Sequence, residues 1–529
     1  VSERFPGRKL SVVRLGILIG AVAAAAAGGV AAWGNFQDVR AAEAIPSVFS
    51  GYVDVTATPR FAFEAPASKE AENVVLSFVV ADPKDPCTPS WGAAYSLSEA
   101  ASALDLDRRV ARLEQLGGTA AVSFGGLANQ ELAVSCTDPA KLKSAYGTVI
   151  DRYNVSSIDL DVEGEALSDP AAVERRSSAI AALQQDRQRD GKGLSVWLTL
   201  PADPNGLTTA GSDAVNRMIT AGVDLAGVNA MTMDYGGSKL AGRSMYENAV
   251  SAAEATHGQL SALYRAAGRE LGSEMVWRKI GLTPMIGQND IPGEIFTLKD
   301  AQDLSSYASG KGIGRLSIWS LNRDWTCSPN FPDVRQVSDG CSGVDQSGST
   351  FASILGAGVA AGPVPEPTAP ARQTASPAVT DNPSTSPYPV WSASSTYTAG
   401  DRIVRHSNVY EAKWWTRGDS PDDPVLQGGA TPWRLIGPVL PGDKPAPKLT
   451  APEGTAPPWQ PSSIYVKGDR VLFEGRVFEA KWWTQTDSPD AALQGAGESP
   501  WWKLPDEELL KIMATATAAA APSPAATGK

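Results

Sequence analysis

Residues Ser156-Ser157-Ile158-Asp159-Leu160-Asp161-Val162-Glu163-Gly164 alternate apolar and acidic side chains without interruption from Ile158 to Glu163. Side chains alternate across an extended strand, so Asp159, Asp161 and Glu163 share one face and Ile158, Leu160 and Val162 the other. Carboxylates this close cannot all ionise cheaply, which predicts that at least one holds a proton near neutrality. A protonated carboxyl at the end of a strand is a general acid, suited to protonating a leaving oxygen. A solvated edge strand or a calcium site are the competing readings. The surrounding strands are too apolar for an edge.

Outward from this run, short β-branched segments recur at 51–55, 74–80, 120–126, 194–200, 227–235, 279–287 and 315–321. Amphipathic stretches separate most of them, for example 98–116, 140–153, 171–187 and 246–271. With 157–163 as the fourth member, this is the pattern of an α/β (β/α)8 TIM barrel over residues 45–345. A doubly wound open sheet fits less well, because no Gly-rich phosphate turn opens a helix. Gly310-Lys311-Gly312-Ile313-Gly314 precedes a strand instead and reads as a turn. Asn154-Val155-Ser156 is a glycosylation sequon by letter only, since it sits where a helix runs into the fourth strand.

Only two histidines occur, His257 and His406, which excludes an HExxH zinc site and leaves little room for a Ser-His-Asp triad. Catalysis must run on carboxylates, and no metal ligand set is read. A net charge of −12 argues against nucleic acid as a partner. The four cysteines (Cys87, Cys136, Cys327, Cys341) form no CxxC and are evenly numbered, as expected for two disulfides in an oxidising compartment. Arg4, Arg8, Lys9 and Arg14 precede a charge-free stretch over residues 15–37, so 1–44 reads as a secretory signal or an uncleaved membrane anchor. Either places the bulk of the protein outside the cytoplasm.

Pro/Ser/Thr-rich residues 346–387 and Pro-rich residues 438–456 read as linkers, and 505–529 as a disordered tail. Between them lies a repeat. Trp391, Tyr397, Gly400, Asp401, Trp414, Trp415 and Trp433 recur as Trp459, Tyr465, Gly468, Asp469, Trp482, Trp483 and Trp501, each offset by 68. The copies, 388–437 and 457–504, hold nine of the chain's 15 tryptophans. So many indoles cannot all be buried in so small a core. Trp414, Trp415, Trp433, Trp482, Trp483 and Trp501 are therefore expected to present faces that stack on sugar rings, with one of each adjacent pair left open as core. Trp391 and Trp459 read as packing residues.

The 156–164 run resembles the DxxDxDxE signature of glycoside hydrolase family 18, with Glu163 at the acid position and Ser156 where the first Asp stands. Ser123-Phe124-Gly125-Gly126 resembles the family's SxGG strand. Met231-Thr232-Met233-Asp234-Tyr235 resembles its Met-x-Tyr-Asp motif, with Met233 where the Tyr falls and Tyr235 one place after Asp234. Trp319 resembles the eighth-strand tryptophan that floors the sugar site. The two repeats, with their Ala-Lys-Trp-Trp-Thr runs, resemble carbohydrate-binding module family 5/12, small all-β chitin-binding modules.

The resemblance implies a cofactor-free, substrate-assisted, retaining chitinase. Glu163 would protonate the glycosidic oxygen, Asp161 would orient the acetamido group, and Asp159 would lie deeper and share a proton with Asp161. Tyr235 and Asp234 would complete the catalytic set, and Met233 would line the substrate site, with Trp319 beneath the sugar. The implied partner is chitin or a related N-acetylglucosamine polysaccharide, and the chain is read as a monomer. A chitin-binding lectin and an endo-N-acetylglucosaminidase are the alternatives. The segment Gln288 to Lys299 is too short for an inserted cleft-walling domain, implying an open cleft. Cys87 follows the second strand and Cys136 the third, so both lie at one rim, and the pairs expected are Cys87–Cys136 and Cys327–Cys341.

Overall fold

Alternation like that around Asp159 is realised in eight parallel strands: β1 (Val48–Phe49 and Gly51–Asp54), β2 (Asn73–Ala81), β3 (Thr119–Gly125), β4 (Ser157–Asp161), β5 (Ser195–Asp203), β6 (Leu225–Met231), β7 (Ile280–Thr283) and β8 (Arg315–Leu316). Each pairs in parallel with the next. The first piece of β1 pairs with β8, Val48 opposite Arg315, which closes the barrel. The computed structural model describes residues 45–331, 333–359, 381–422, 430–444, 450–493, 499–504 and 508–509, with positions 42 and 512. The chain divides into two compact units, residues 1–370 and 371–529. The 15–37 stretch read as signal or anchor lies outside the described residues, among which no helix is long and apolar enough to cross a membrane.

Ile158, Leu160 and Val162 are buried in the apolar layer between strands and helices, as their alternation requires. The opposite face of β4 points inward, where Asp159 is 0% and Asp161 4% exposed. Helix starts follow local chemistry. Asp138 and Asp169 accept from the first free amides of Pro139–Arg152 and Pro170–Arg189, with Pro at the first position of each helix. The expected single helix over 98–116 is instead two, Leu97–Ala103 and Leu106–Gln115, because Asp105 adopts a left-handed φ of 53° between them.

The last two strands are shorter than their sequence patterns. β7 stops at Thr283 because Pro284 has no amide to continue the ladder. The chains nonetheless stay side by side, with the Trp319 amide donating to the Pro284 carbonyl at 3.0 Å. Only a two-stranded hairpin, Gly287–Gln288 with Ile295–Phe296, follows β7, so no inserted domain stands there. Both disulfides form as expected, Cys87–Cys136 and Cys327–Cys341.

The barrel does not end near 345. Helix Phe351–Ala357 lies within the stretch read as linker, with Phe351 and Leu355 fully buried. The Phe351 and Ala352 amides donate to the Asp324 carboxylate at 2.7 and 2.8 Å, which fixes the helix start on the loop after β8.

Each repeat folds as a three-stranded antiparallel sheet, Arg402–Arg405, Asn408–Ala412 and Trp433–Pro438, then Arg470–Phe473, Arg476–Ala480 and Trp501–Lys503. The first hairpin turns through two left-handed residues, His406 and Ser407, and the second through Glu474 and Gly475, the two-residue turn that matches strand twist. Packing extends beyond the expected boundaries. Asp381 accepts from the His406 and Ser407 amides, Ala451 and Ala456 are buried against Val477, and Leu509 in the expected tail is 0% exposed.

Candidate active site and exposed aromatic faces

Asp159 lies at the centre of a polar layer inside the barrel. Tyr52 Oη (2.9 Å) and Ser123 Oγ (2.8 Å) donate to one carboxylate oxygen. Thr199 Oγ (2.7 Å) and Arg315 Nη1 (3.1 Å) donate to the other. Asn229 Nδ2 ties Thr199, Tyr52 and Thr283 together at 3.1, 3.2 and 2.7 Å. Arg315 is 2% exposed, its guanidinium held by Ser317 Oγ and lying 5.5 Å from the Tyr52 ring centre and 5.3 Å from that of Trp197. Four side-chain groups, one of them the Arg315 guanidinium, thus surround the two oxygens of Asp159 and fix it at the barrel centre.

Burial, then the charges of Glu163 and Asp159, push the Asp161 carboxyl well above the usual range, against the pull of Arg315. Its Oδ1 is buried with no hydrogen-bond partner in the protein. Glu163, half-buried just past the end of β4, is also raised, first by burial, with a hydrogen bond to Asp161 opposing and the charge of Asp234 reinforcing. The arrangement is a pair of raised carboxyls above a hydrogen-bonded Asp159, which can donate a proton at the barrel mouth and stabilise positive charge developing beside it.

The neighbouring strand explains its own motif. Ser123 supplies the donor to Asp159. Gly125 (φ 108°) passes so close to β4 that a Cβ there would lie 2.0 Å from the Asp161 carbonyl. Gly126 (φ 79°) donates its amide to that carbonyl at 3.0 Å, and a Cβ would meet the Phe78 ring at 2.9 Å. Phe78 in turn stacks on Trp319, ring centres 5.4 Å apart and planes inclined by 23°. Trp319 is thus held at the inner wall beside Tyr52.

Asp234 adopts a left-handed φ of 48° after β6 and accepts from the Ile291 amide at 3.2 Å. It is brought to Glu163, while Met233 is buried at 9% exposure. Tyr235 Oη makes no hydrogen bond to the carboxylates of β4. The turn at Asp234 sends its ring into the apolar core, where its buried hydroxyl lacks a protein partner and the charges acting on it are Glu294 and Asp203. Sequence reading missed Tyr52, Thr199, Asn229, Thr283 and Arg315. The signal for three of them was a lone polar residue inside an apolar strand: Leu198-Thr199-Leu200, Val228-Asn229-Ala230 and Leu282-Thr283. Among the described residues no cluster of three His, Cys, Asp or Glu is placed to hold a metal.

In the repeats, Trp414, Trp415, Trp482 and Trp483 are 45%, 59%, 51% and 59% exposed. Neither member of either pair is core. Trp433 and Trp501 are corrected in the other direction, at 3% and 1% exposed. Each packs edge-on to a buried tyrosine and donates its indole N–H to a backbone carbonyl, Asp419 at 3.0 Å and Asp487 at 2.8 Å. They fill the small cores and present no ring to a ligand. Trp391 and Trp459 pack against those cores as expected. Trp502, which sequence reading passed over, is 45% exposed; the first repeat has Arg434 at that position, paired with Glu411.

Comparison with known proteins agrees with both halves. Over 285 residues the chain is 34% identical to a probable bifunctional chitinase/lysozyme of Escherichia coli and, over 285 residues, 34% identical to endochitinase 11 of Metarhizium anisopliae, covering 52% of this chain in each case. It spans only 31% and 52% of those curated relatives' lengths. The catalytic domain of a hyperthermophilic chitinase from Pyrococcus furiosus superposes with a TM-score of 0.50 at 29% identity, covering 60% of this chain and 95% of that one. The chain therefore joins a barrel similar to chitinase catalytic domains, as the family 18 signature implies, to two segments, 390–434 and 458–502, that match the carbohydrate-binding module family 5/12 model.

Proposed function

We propose that the chain is a chitinase that hydrolyses β-1,4-linked N-acetylglucosamine polymers with retention, using the substrate's own acetamido group as nucleophile. The observation that carries this reading is the Asp161–Glu163 pair, raised by burial and set above a donor-saturated Asp159. Glu163 gives its proton to the glycosidic oxygen as that bond to the anomeric carbon breaks. The acetamido carbonyl oxygen closes on the anomeric carbon, and Asp161 stabilises the resulting positive charge and holds the amide N–H. Water then attacks the anomeric carbon, giving its proton to Glu163, and the acetamido group is released. Trp319 supplies an apolar floor, and Met233 and Asp234 line the wall.

The repeats serve as separate chitin anchors through Trp414, Trp415, Trp482 and Trp483, whose exposed faces suit the apolar faces of sugar rings. Two disulfides and an extracellular polymer as substrate support an exported protein, with residues 1–44 as a cleaved signal or a retained anchor and the chain acting as a monomer. Incubation with colloidal chitin and identification of products by mass tests the reading. N-acetylglucosamine oligomers are expected, and their absence overturns it.

A further inference from the structure

Among the described tryptophans of the barrel unit, one is exposed. Trp91, Trp197 and Trp277 are buried, at 0%, 8% and 7% exposed, and Trp319 is half-buried at the inner wall. Trp325 is 42% exposed, close to the values of the module tryptophans. We propose that Trp325, with Phe61 behind it, forms an outer sugar-binding subsite on the barrel rim, stacking on a pyranose ring of the same N-acetylglucosamine chain that Glu163 cleaves. The proposal rests on the chitinase reading.

Its position follows from the connections. Trp325 ends the segment leaving β8, six residues beyond Trp319. Asn322 sews that segment to the end of β1, accepting from the Asp54 amide at 2.9 Å and donating to the Asp54 carbonyl at 3.0 Å. Phe61 stands on the loop that leaves β1, and its ring lies 6.1 Å from that of Trp325 with planes inclined by 34°. Both aromatics therefore sit at the C-terminal ends of adjacent strands, the end at which β4 presents Glu163, and a chain running out from Trp319 reaches them along one rim.

The indole is also pre-set. Its N–H donates to the Gly340 carbonyl, and its backbone carbonyl accepts from the Ser342 amide and hydroxyl at 3.0 and 3.2 Å. The Cys327–Cys341 bridge begins two residues later. On the other side, the Phe61 carbonyl is gripped by Arg109, itself paired with buried Glu64 at 2.8 Å. With its one polar atom already satisfied, Trp325 offers a ligand only a ring face. That selects a partner with a flat apolar surface and costs little ordering on binding. Every second ring of a β-1,4 polymer presents such a surface in the same sense.

The test is the chain-length dependence of cleavage by the full-length protein and its Trp325→Ala and Trp325→Phe variants. The probes are the soluble chito-hexasaccharide and chito-trisaccharide. The ratio of kcat/KM for hexamer over trimer is expected to fall about tenfold in Trp325→Ala, in line with losing one stacked ring, and by much less in Trp325→Phe. An unchanged ratio overturns the subsite, as does an equal loss on both substrates in both variants. A sedimentation shift to monomer in Trp325→Ala without change in the ratio assigns the face to a second copy and also overturns it. Wild type inactive on both oligomers overturns the chitinase reading and the subsite with it, whereas an active wild type with a length-independent variant removes the subsite alone.

Discussion

The barrel buries two of the carboxyls proposed for its chemistry, and the repeats expose the rings proposed for theirs. Asp159 and Asp161 are 0% and 4% exposed, whereas the paired module tryptophans range from 45% to 59%. The contrast follows from what each group needs. A carboxyl keeps a proton at neutral pH, and a fixed dipole acts strongly, only where water has been displaced. A ring that stacks on a polymer must instead be bare beforehand, and its neighbours need only hold it still. The repeats accordingly use other aromatics, Tyr397 with Trp433 and Tyr465 with Trp501, as the core on which the exposed pairs are mounted.

Breaking the barrel's half of this division has the largest expected effect. Glu163→Gln keeps the shape of the side chain but cannot donate a proton, so hydrolysis of soluble chito-oligosaccharides falls by at least ~10²–10⁴ with the unfolding transition unchanged. A variant retaining more than a tenth of the rate reassigns the acid. Breaking the modules' half, by Trp414→Ala, Trp415→Ala, Trp482→Ala and Trp483→Ala together, removes two linked weak sites. Binding to insoluble chitin is expected to drop by up to ~10²–10⁴ with little change on soluble oligomers. Loss of soluble activity as well, measured on a chain with intact module folding, erases the distinction.

Two further substitutions sharpen it. Arg315→Met leaves Asp159 buried without its cation and is expected to destabilise the barrel by about 3–5 kcal/mol in denaturant titration, partly recovered by adding Asp159→Asn. No recovery in the double variant means that Arg315 matters through packing alone. The smallest effect is on pH. The charge of Asp234 raises Glu163, so Asp234→Asn lowers it, and the acid loses its proton sooner as pH rises. The alkaline limb of kcat/KM then moves to lower pH. A shift upward, or none, removes Asp234 from the acid's surroundings.

How much was legible in the sequence depended on whether the information was local. A period of two places Asp159, Asp161 and Glu163 on one face with no knowledge of any other strand. Tyr52, Thr199, Asn229, Thr283 and Arg315 meet only because five different strands close into a barrel, and nothing in one strand's sequence states its register against the others. The module tryptophans show the same limit. Composition says that some must be exposed, but Trp433 turns inward because its strand pairs it with buried Ala412 while Trp414 and Trp415 lie beyond the strand's end. Helix Phe351–Ala357 was concealed by its setting, a short apolar run between Ser/Gly-rich and Pro-rich stretches, and the distant Asp324, Phe296 and Ser305 are what identify it as part of the barrel.

That helix also sets where mechanical load enters the enzyme. If, as proposed, the repeats grip a solid while the barrel cleaves it, tension passes through the connecting chain. Here the pull arrives at Ala357, the end of a docked helix, and not at a barrel strand. To reach β8 it must first peel Phe351 and Leu355 from their burial and strip two amides from Asp324. Beyond that, the Cys327–Cys341 bridge carries the load past residues 328–340, which are spared it. On the proposed function the helix would therefore take the strain before β8 does.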